Sequence, residues 1–101
     1  MIARRNEYLV LVSNLTGVPA DDIMGNSRCE RISTARQLVM WALYVLCGYS
    51  TTQVGRLMRR NHATICYAVR HMGYGYFGKE VENYVKQIKD YHNETKTQNR
   101  H

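Results

Sequence analysis

Arg59, Arg60, Asn61, His62 and Thr64 fall within the stretch RRNHAT, and Tyr67 and Arg70 follow at intervals of three in CYAVR. A guanidinium fork grips phosphates and guanine edges bidentately, and amide, imidazole and hydroxyl groups hydrogen bond to base edges. The chemistry these residue types share is recognition of nucleic acid. Taken singly each has a plainer role: His62 opens a helix, Tyr67 packs on a neighbour, Arg70 pairs with an acid of the same chain. Convergence is what matters. At about 100° per residue from Ile65, the residues Ile65, Ala68, Val69 and Met72 form one apolar stripe. Ala63, Tyr67 and Arg70 point nearly opposite, flanked by Thr64, Cys66 and His71. The stretch therefore reads as a helix with a core half and a wet, basic half.

The elements that hold this helix follow from periodicity and punctuation. Tyr8, Leu11, Val12 and Leu15 recur at i, i+3, i+4 and i+7 and predict a first helix of about three turns, closed by Gly17. Pro19 stands where a short second helix starts, with Asp21 and Asp22 in its first turn and Gly25 ending it. NSRCERIS has no apolar period and reads as a loop carrying Arg28 and Arg31, with Ser33 placed to cap the next helix. From Thr34 to Cys47 the pattern is apolar almost all round, so this helix is expected to be the most buried. Only Arg36 and Gln37, in its first turn, are expected to face out.

Gly48 follows as a C-cap, and Ser50 to Gln53 spells a capping box for a helix from Thr51 to Met58 that buries Val54, Leu57 and Met58. Gly55 inside that helix suits a close crossing, because an interior glycine otherwise costs about 1 kcal/mol relative to alanine. The chain breaks at Arg59 and Arg60, and Asn61 caps the basic helix. Two short helices joined by a tight basic turn meet the requirements of a helix-turn-helix. GYGYFG, 73–78, ends that helix, and Val81, Tyr84, Val85 and Ile88 mark a last amphipathic helix over about 79–92. The apolar-free segment 93–101 is expected to be a disordered tail. The fold class predicted is all-α: one domain over 1–92, a bundle of about five or six helices containing the helix-turn-helix.

Charge distribution agrees. Of 101 residues, 14 are Lys or Arg and 8 are Asp or Glu, a formal net charge of +6. The excess sits in residues 28–70, where Arg28, Arg31, Arg36, Arg56, Arg59, Arg60 and Arg70 face Glu30 alone. Double-stranded DNA is the partner this predicts, with Arg36 anchoring a phosphate and Arg28 and Arg31 entering a minor groove.

Other classes fare worse. No apolar run approaches the roughly 20 residues of a membrane span, and the N-terminus lacks the features of a secretory signal, so a cytoplasmic, nucleoid-associated protein is expected. Cys29, Cys47 and Cys66 are widely spaced without a CxxC pair, and neither a disulfide framework nor a zinc site is expected. No HExxH, paired carboxylates or Ser/His/Asp set is present, so no catalytic residue, cofactor or enzyme activity is assigned. The competing reading is a protein-interaction module, or weak self-association, through Tyr74, Tyr76, Phe77 and the last helix.

VPADDIMGNSRCERISTARQLVMWALYVL followed by YSTTQVGRLMRRNHATICYAVRHM resembles the C-terminal DNA-binding domain of the bacterial replication initiator DnaA. Its most specific parts are the spacing from IMGNSR to ARQ and the segment RNHATICYAVR, similar to the family's R-D-H-[ST]-T-V-x-x-A-x-R signature. The resemblance spans about Val18 to Met72 and extends back to Tyr8, which gives a family-like core of about 8–72. It implies an all-helical domain that binds a short duplex box, with the signature helix in the major groove and a basic-loop arginine in the minor groove. By position, Arg60, His62, Thr64 and Arg70 would lie at the major-groove face, and Arg36 matches the arginine of the family's basic-loop region. The sequence departs at Asn61, where the family has Asp, at Ala63, the first of its two hydroxyl residues, and at Arg59, which replaces a glycine in a turn one residue shorter. The first two changes can remove base contacts worth roughly 1–3 kcal/mol each, whereas Arg59 adds charge for nonspecific binding. A GxxxxGK[ST] loop is absent, so a stand-alone domain without the initiator's ATPase module is expected.

Overall fold

A computed structural model of the chain describes residues 1–73 and 79–98. These form α1 (Ile2–Thr16), α2 (Ala20–Met24), α3 (Glu30–Trp41) with a π-helical turn (Ala42–Leu46), α4 (Thr51–Met58), α5 (His62–Gly73) and α6 (Lys79–Gln98). The chain is all-α among the described residues, as expected.

Helix α3 is the axis of the bundle. Leu38, Val39, Ala42 and Leu43, in α3 and its π turn, have no exposed area. Against them pack Tyr8 and Val12 of α1, Ile23 of α2, Val54 and Met58 of α4, Ile65 of α5 and Ile88 of α6, all fully buried. Each large aliphatic side chain so buried contributes about 1.5–3 kcal/mol. The apolar pattern of this segment thus meets partner helices along α3, whereas Tyr44 and Val45 of the π turn are exposed.

Several boundaries follow the local chemistry. Gly17 ends α1 in the left-handed region at φ 77°, its N–H bonded to the Ser13 carbonyl at 2.8 Å. Asp21 and Asp22 occupy the first turn of α2, where their charge favours the positive end of the helix dipole. The capping box of α4 is complete: Gln53 N–H donates to Ser50 Oγ at 3.1 Å and Ser50 N–H to Gln53 Oε1 at 2.9 Å.

Three expectations need correction. Helix α3 starts at Glu30, with Cys29 at the cap position, so Ser33 is an interior residue whose N–H donates to the Cys29 carbonyl at 2.8 Å. Starting early puts Glu30 at the positive end of the dipole and lets Ile32 pack on the core. Arg31 consequently rides on a helix and not in a loop. Arg36 is 8% exposed and does not face out. Finally, α6 continues to Gln98, beyond the expected end near residue 92. Tyr91 donates to the Glu7 carboxylate at 2.6 Å and the Tyr8 hydroxyl lies 2.5 Å from His92 Nδ1, fixing α6 on α1 just before those extra turns.

Candidate nucleic-acid interface

The site begins with the packing of α4 on α5. A Cβ at Gly55 would stand 2.9 Å from the carbonyl oxygen of Arg60 and 3.9 Å from the backbone nitrogen of His62. Only glycine lets the turn fold this tightly against α4. The turn reverses through Arg59, which adopts the left-handed conformation at φ 57° and ψ 45°. For a non-glycine residue this costs roughly 1–2 kcal/mol. Asn61 then caps α5, its Oδ1 accepting the Ala63 N–H at 2.8 Å. That amide oxygen serves the helix start, as the N-cap reading of Asn61 expects.

Helix α5 divides cleanly. Ile65 is fully buried and Ala68 is 2% exposed, with Val69 half-buried beside them. Asn61, His62, Ala63, Thr64, Tyr67 and Arg70 are exposed. Tyr67, at 62% exposure, stands well out from the helix. Anchored by its apolar half to α3 and α4, α5 presents the other half to solvent as a rigid, polar surface.

Two arginines organise the segment next to it. Arg36 sends Nε to the Ile23 carbonyl at 2.7 Å, Nη1 to the Ser27 carbonyl at 3.0 Å and Nη2 to the Asp22 carbonyl at 3.2 Å. Arg60 is half-buried and reaches the same segment from the turn: Nη2 donates to the Gly25 carbonyl, and Nη1 to Asn26 Oδ1 at 3.3 Å. Burial, and secondarily the charge of Arg60, lower the pKa of Arg36 from its ordinary value. A planar fork with fixed donors suits this role, since one lysine could not satisfy three carbonyls in different directions. The segment 22–27 is thereby held beside the start of α5, and exposed Arg28 directly follows it.

The sequence-predicted residues thus separate into groups. Arg59, Arg60, Asn61, His62, Thr64, Tyr67 and Arg70 come together on the turn and outer face of α5, with Arg28 on the adjoining segment. Arg31 goes elsewhere: its Nη2 donates to the Thr16 carbonyl at 3.0 Å, at the end of α1. Arg36 lies beneath the surface. Its expected direct phosphate contact gives way to internal hydrogen bonds, because the carbonyls of a short helix end and its following loop need donors.

Asn26 was not singled out by sequence reasoning, and nothing local marks it, since its partner Arg60 is 34 residues away. Cys66, weighed in the sequence only as a cysteine without a nearby histidine, lies one helical turn from His62. Tyr74, Tyr76 and Phe77 lie outside the described residues. Among the described residues, no helix is long and apolar enough to cross a membrane.

Comparison with known proteins gives this geometry a context. Residues 9–72 match the family model described as the bacterial dnaA protein helix-turn-helix. The chain is similar to a chromosomal replication initiator protein DnaA from Tropheryma whipplei, 35% identical over 66 residues, covering 65% of this chain and 14% of the relative. It is also similar to those of Picosynechococcus sp., 31% identical over 84 residues with 81% and 19% covered, and of Aquifex aeolicus, 32% over 65 residues with 63% and 16% covered. The chain spans less than a fifth of the length of these relatives.

Proposed function

Because the chain belongs to the bacterial DnaA helix-turn-helix family, a DNA-binding module, we propose that it reads a specific duplex sequence through the outer face of α5, in the control of replication initiation. The observation that carries this reading is the division of α5: fully buried Ile65 on one side and exposed His62, Thr64, Tyr67 and Arg70 on the other. A helix so anchored can enter a major groove without rearranging the core.

Roles follow from position. Arg59 and Arg70 supply phosphate contacts, favoured by the positive end of the α5 dipole. His62 and Thr64, in the first turn, reach base edges, with Tyr67 extending the contact one turn on. Arg28 reaches toward an adjacent groove from the segment that Arg36 and Arg60 hold in place. Arg36 acts as a positioning residue, and Arg60 combines positioning with proximity to the duplex. Arg31 supports the carbonyl end of α1 and contributes charge at a distance.

Anisotropy titration with random duplex at two salt concentrations, followed by selection from a random-sequence pool, tests this reading. Binding that weakens steeply with salt and a recovered consensus motif are expected. Absence of binding at low salt would reject DNA contact, and binding with no motif would reject sequence readout.

A further inference from the structure

Arg28 and the outer face of α5, the two elements assigned to the duplex, are joined through a side chain that belongs to neither. Arg60, in the turn before α5, donates through Nη2 to the Gly25 carbonyl and through Nη1 to Asn26 Oδ1 at 3.3 Å. We propose that Asn26 is a specificity-determining positioning residue: it latches the backbone leading to Arg28 onto the start of α5, so that loop and helix read the duplex in one register. The specificity half rests on the DNA-binding reading above; the latch itself does not.

Arg28 is exposed, and a long exposed side chain is aimed chiefly by the backbone from which it leaves. That backbone is pinned on both sides of Arg28. The Ser27 carbonyl accepts Arg36 Nη1 at 3.0 Å, Ser27 Oγ accepts the Cys29 N–H at 3.2 Å, and the Cys29 carbonyl accepts the Ser33 N–H at 2.8 Å. These bonds refer Arg28 to α3. The fork of Arg60 refers it to the helix-turn-helix, 34 residues further along the chain. Without that second reference, loop and helix are each held by the core but not by one another.

Residue type matters at 26 and not at 25. The Gly25 acceptor is a backbone carbonyl that any residue supplies, whereas the acceptor at 26 is a side-chain oxygen. A neutral amide takes a guanidinium N–H without setting negative charge beside phosphates, while an aspartate would hold the fork equally well and repel the duplex. Asn26 is exposed, so truncating it leaves Arg60 Nη1 to water and spares the fold. Order is what goes: the loop must then be fixed at the moment of binding.

Backbone ¹⁵N relaxation of the full chain without DNA tests the latch. Order parameters at residues 26–29 are expected near the about 0.85 of rigid backbone, lowered in Asn26→Ala and kept in Asn26→Asp. Equal values in the unaltered chain and Asn26→Ala overturn the latch whatever the DNA result.

Specificity is then read by anisotropy with the selected duplex and its single base-pair variants. The positions read by Arg28 are those at which Arg28→Ala loses discrimination. Asn26→Ala is expected to lose about five- to tenfold at those same positions, to keep discrimination at those affected by Thr64→Val, and to leave the salt slope unchanged. The double variant Asn26→Ala with Arg28→Ala should lose no more than Arg28→Ala alone. Asn26→Asp should keep the discrimination while weakening all duplexes alike, a rescue that a direct base contact by the Asn26 amide would not show. Additive losses in the double variant, a uniform loss across all sequences, or unchanged discrimination in Asn26→Ala each overturn the specificity role. If the unaltered chain binds no duplex, that role falls with the DNA reading, and the relaxation result still decides the latch.

Discussion

The arginines that hold the segment 22–27 and those exposed on the turn and outer face of α5 have the same side chain and opposite fates. Arg36 has three internal carbonyl acceptors and Arg60 has acceptors at Gly25 and Asn26, whereas Arg59 and Arg70 project into solvent. One pair builds the surface and the other is available to use it. An arginine count therefore overstates the phosphate-binding capacity of a basic domain, because part of it is spent on backbone carbonyls that helix ends leave without donors.

Removing Arg36 should separate the two groups most strongly. Arg36→Ala leaves the carbonyls of Asp22, Ile23 and Ser27 without their donor and is expected to destabilise the domain by about 3 kcal/mol or more, read by chemical denaturation. Arg36→Lys should recover only part of that, since it restores charge without the fork. A loss no larger than that of Arg70→Ala, expected within about 0.5 kcal/mol of the unaltered protein, would erase the distinction.

On the reading side, stability should hold while specificity moves. His62→Ala and Thr64→Val are each expected to reduce discrimination at one or two base positions by about 1–3 kcal/mol, with little change in salt slope. Sequence selection with each variant checks this. A uniform loss across all sequences would make them phosphate contacts.

Arg59→Gly should act on both quantities in opposite directions. It relieves the left-handed strain and is expected to stabilise the fold by up to about 1 kcal/mol, seen as a rise in Tm. It also removes a phosphate contact and should lower the salt slope of duplex binding by about one. The smallest effect belongs far from the face. Lys89 lies 5.8 Å from the centre of the Trp41 ring, and Lys89→Ala should cost about 0.5 kcal/mol of stability and leave duplex affinity unchanged.

These contrasts also show what the sequence made legible. Short-range chemistry was readable: the Ser50–Gln53 box, the glycine at 17, the cap at Asn61 and the two faces of α5 all act between residues within a turn of one another. Long-range partnerships were not. Whether Arg36 faces water or carbonyls depends on α2, 14 residues earlier, and the partner of Arg60 lies 34 residues away. The start of α3 was misplaced because Ser33 is a good cap in isolation, while burial of Ile32 favours an earlier start. The π turn from Ala42 to Leu46 breaks the helical period inside a segment whose residues are apolar on all sides, so periodicity had nothing to register there. The residues proposed for the site were named from the sequence, but separating the exposed ones from those bonded to internal carbonyls required the tertiary structure.

The central claim, that the outer face of α5 reads the duplex while α6 stands apart, is tested most directly by backbone amide NMR of the full chain during titration with a selected duplex. The account predicts the largest shifts at residues 59–70, smaller ones at 25–28, and little change in α6. Shifts concentrated in α6, with 59–70 unmoved, would contradict it.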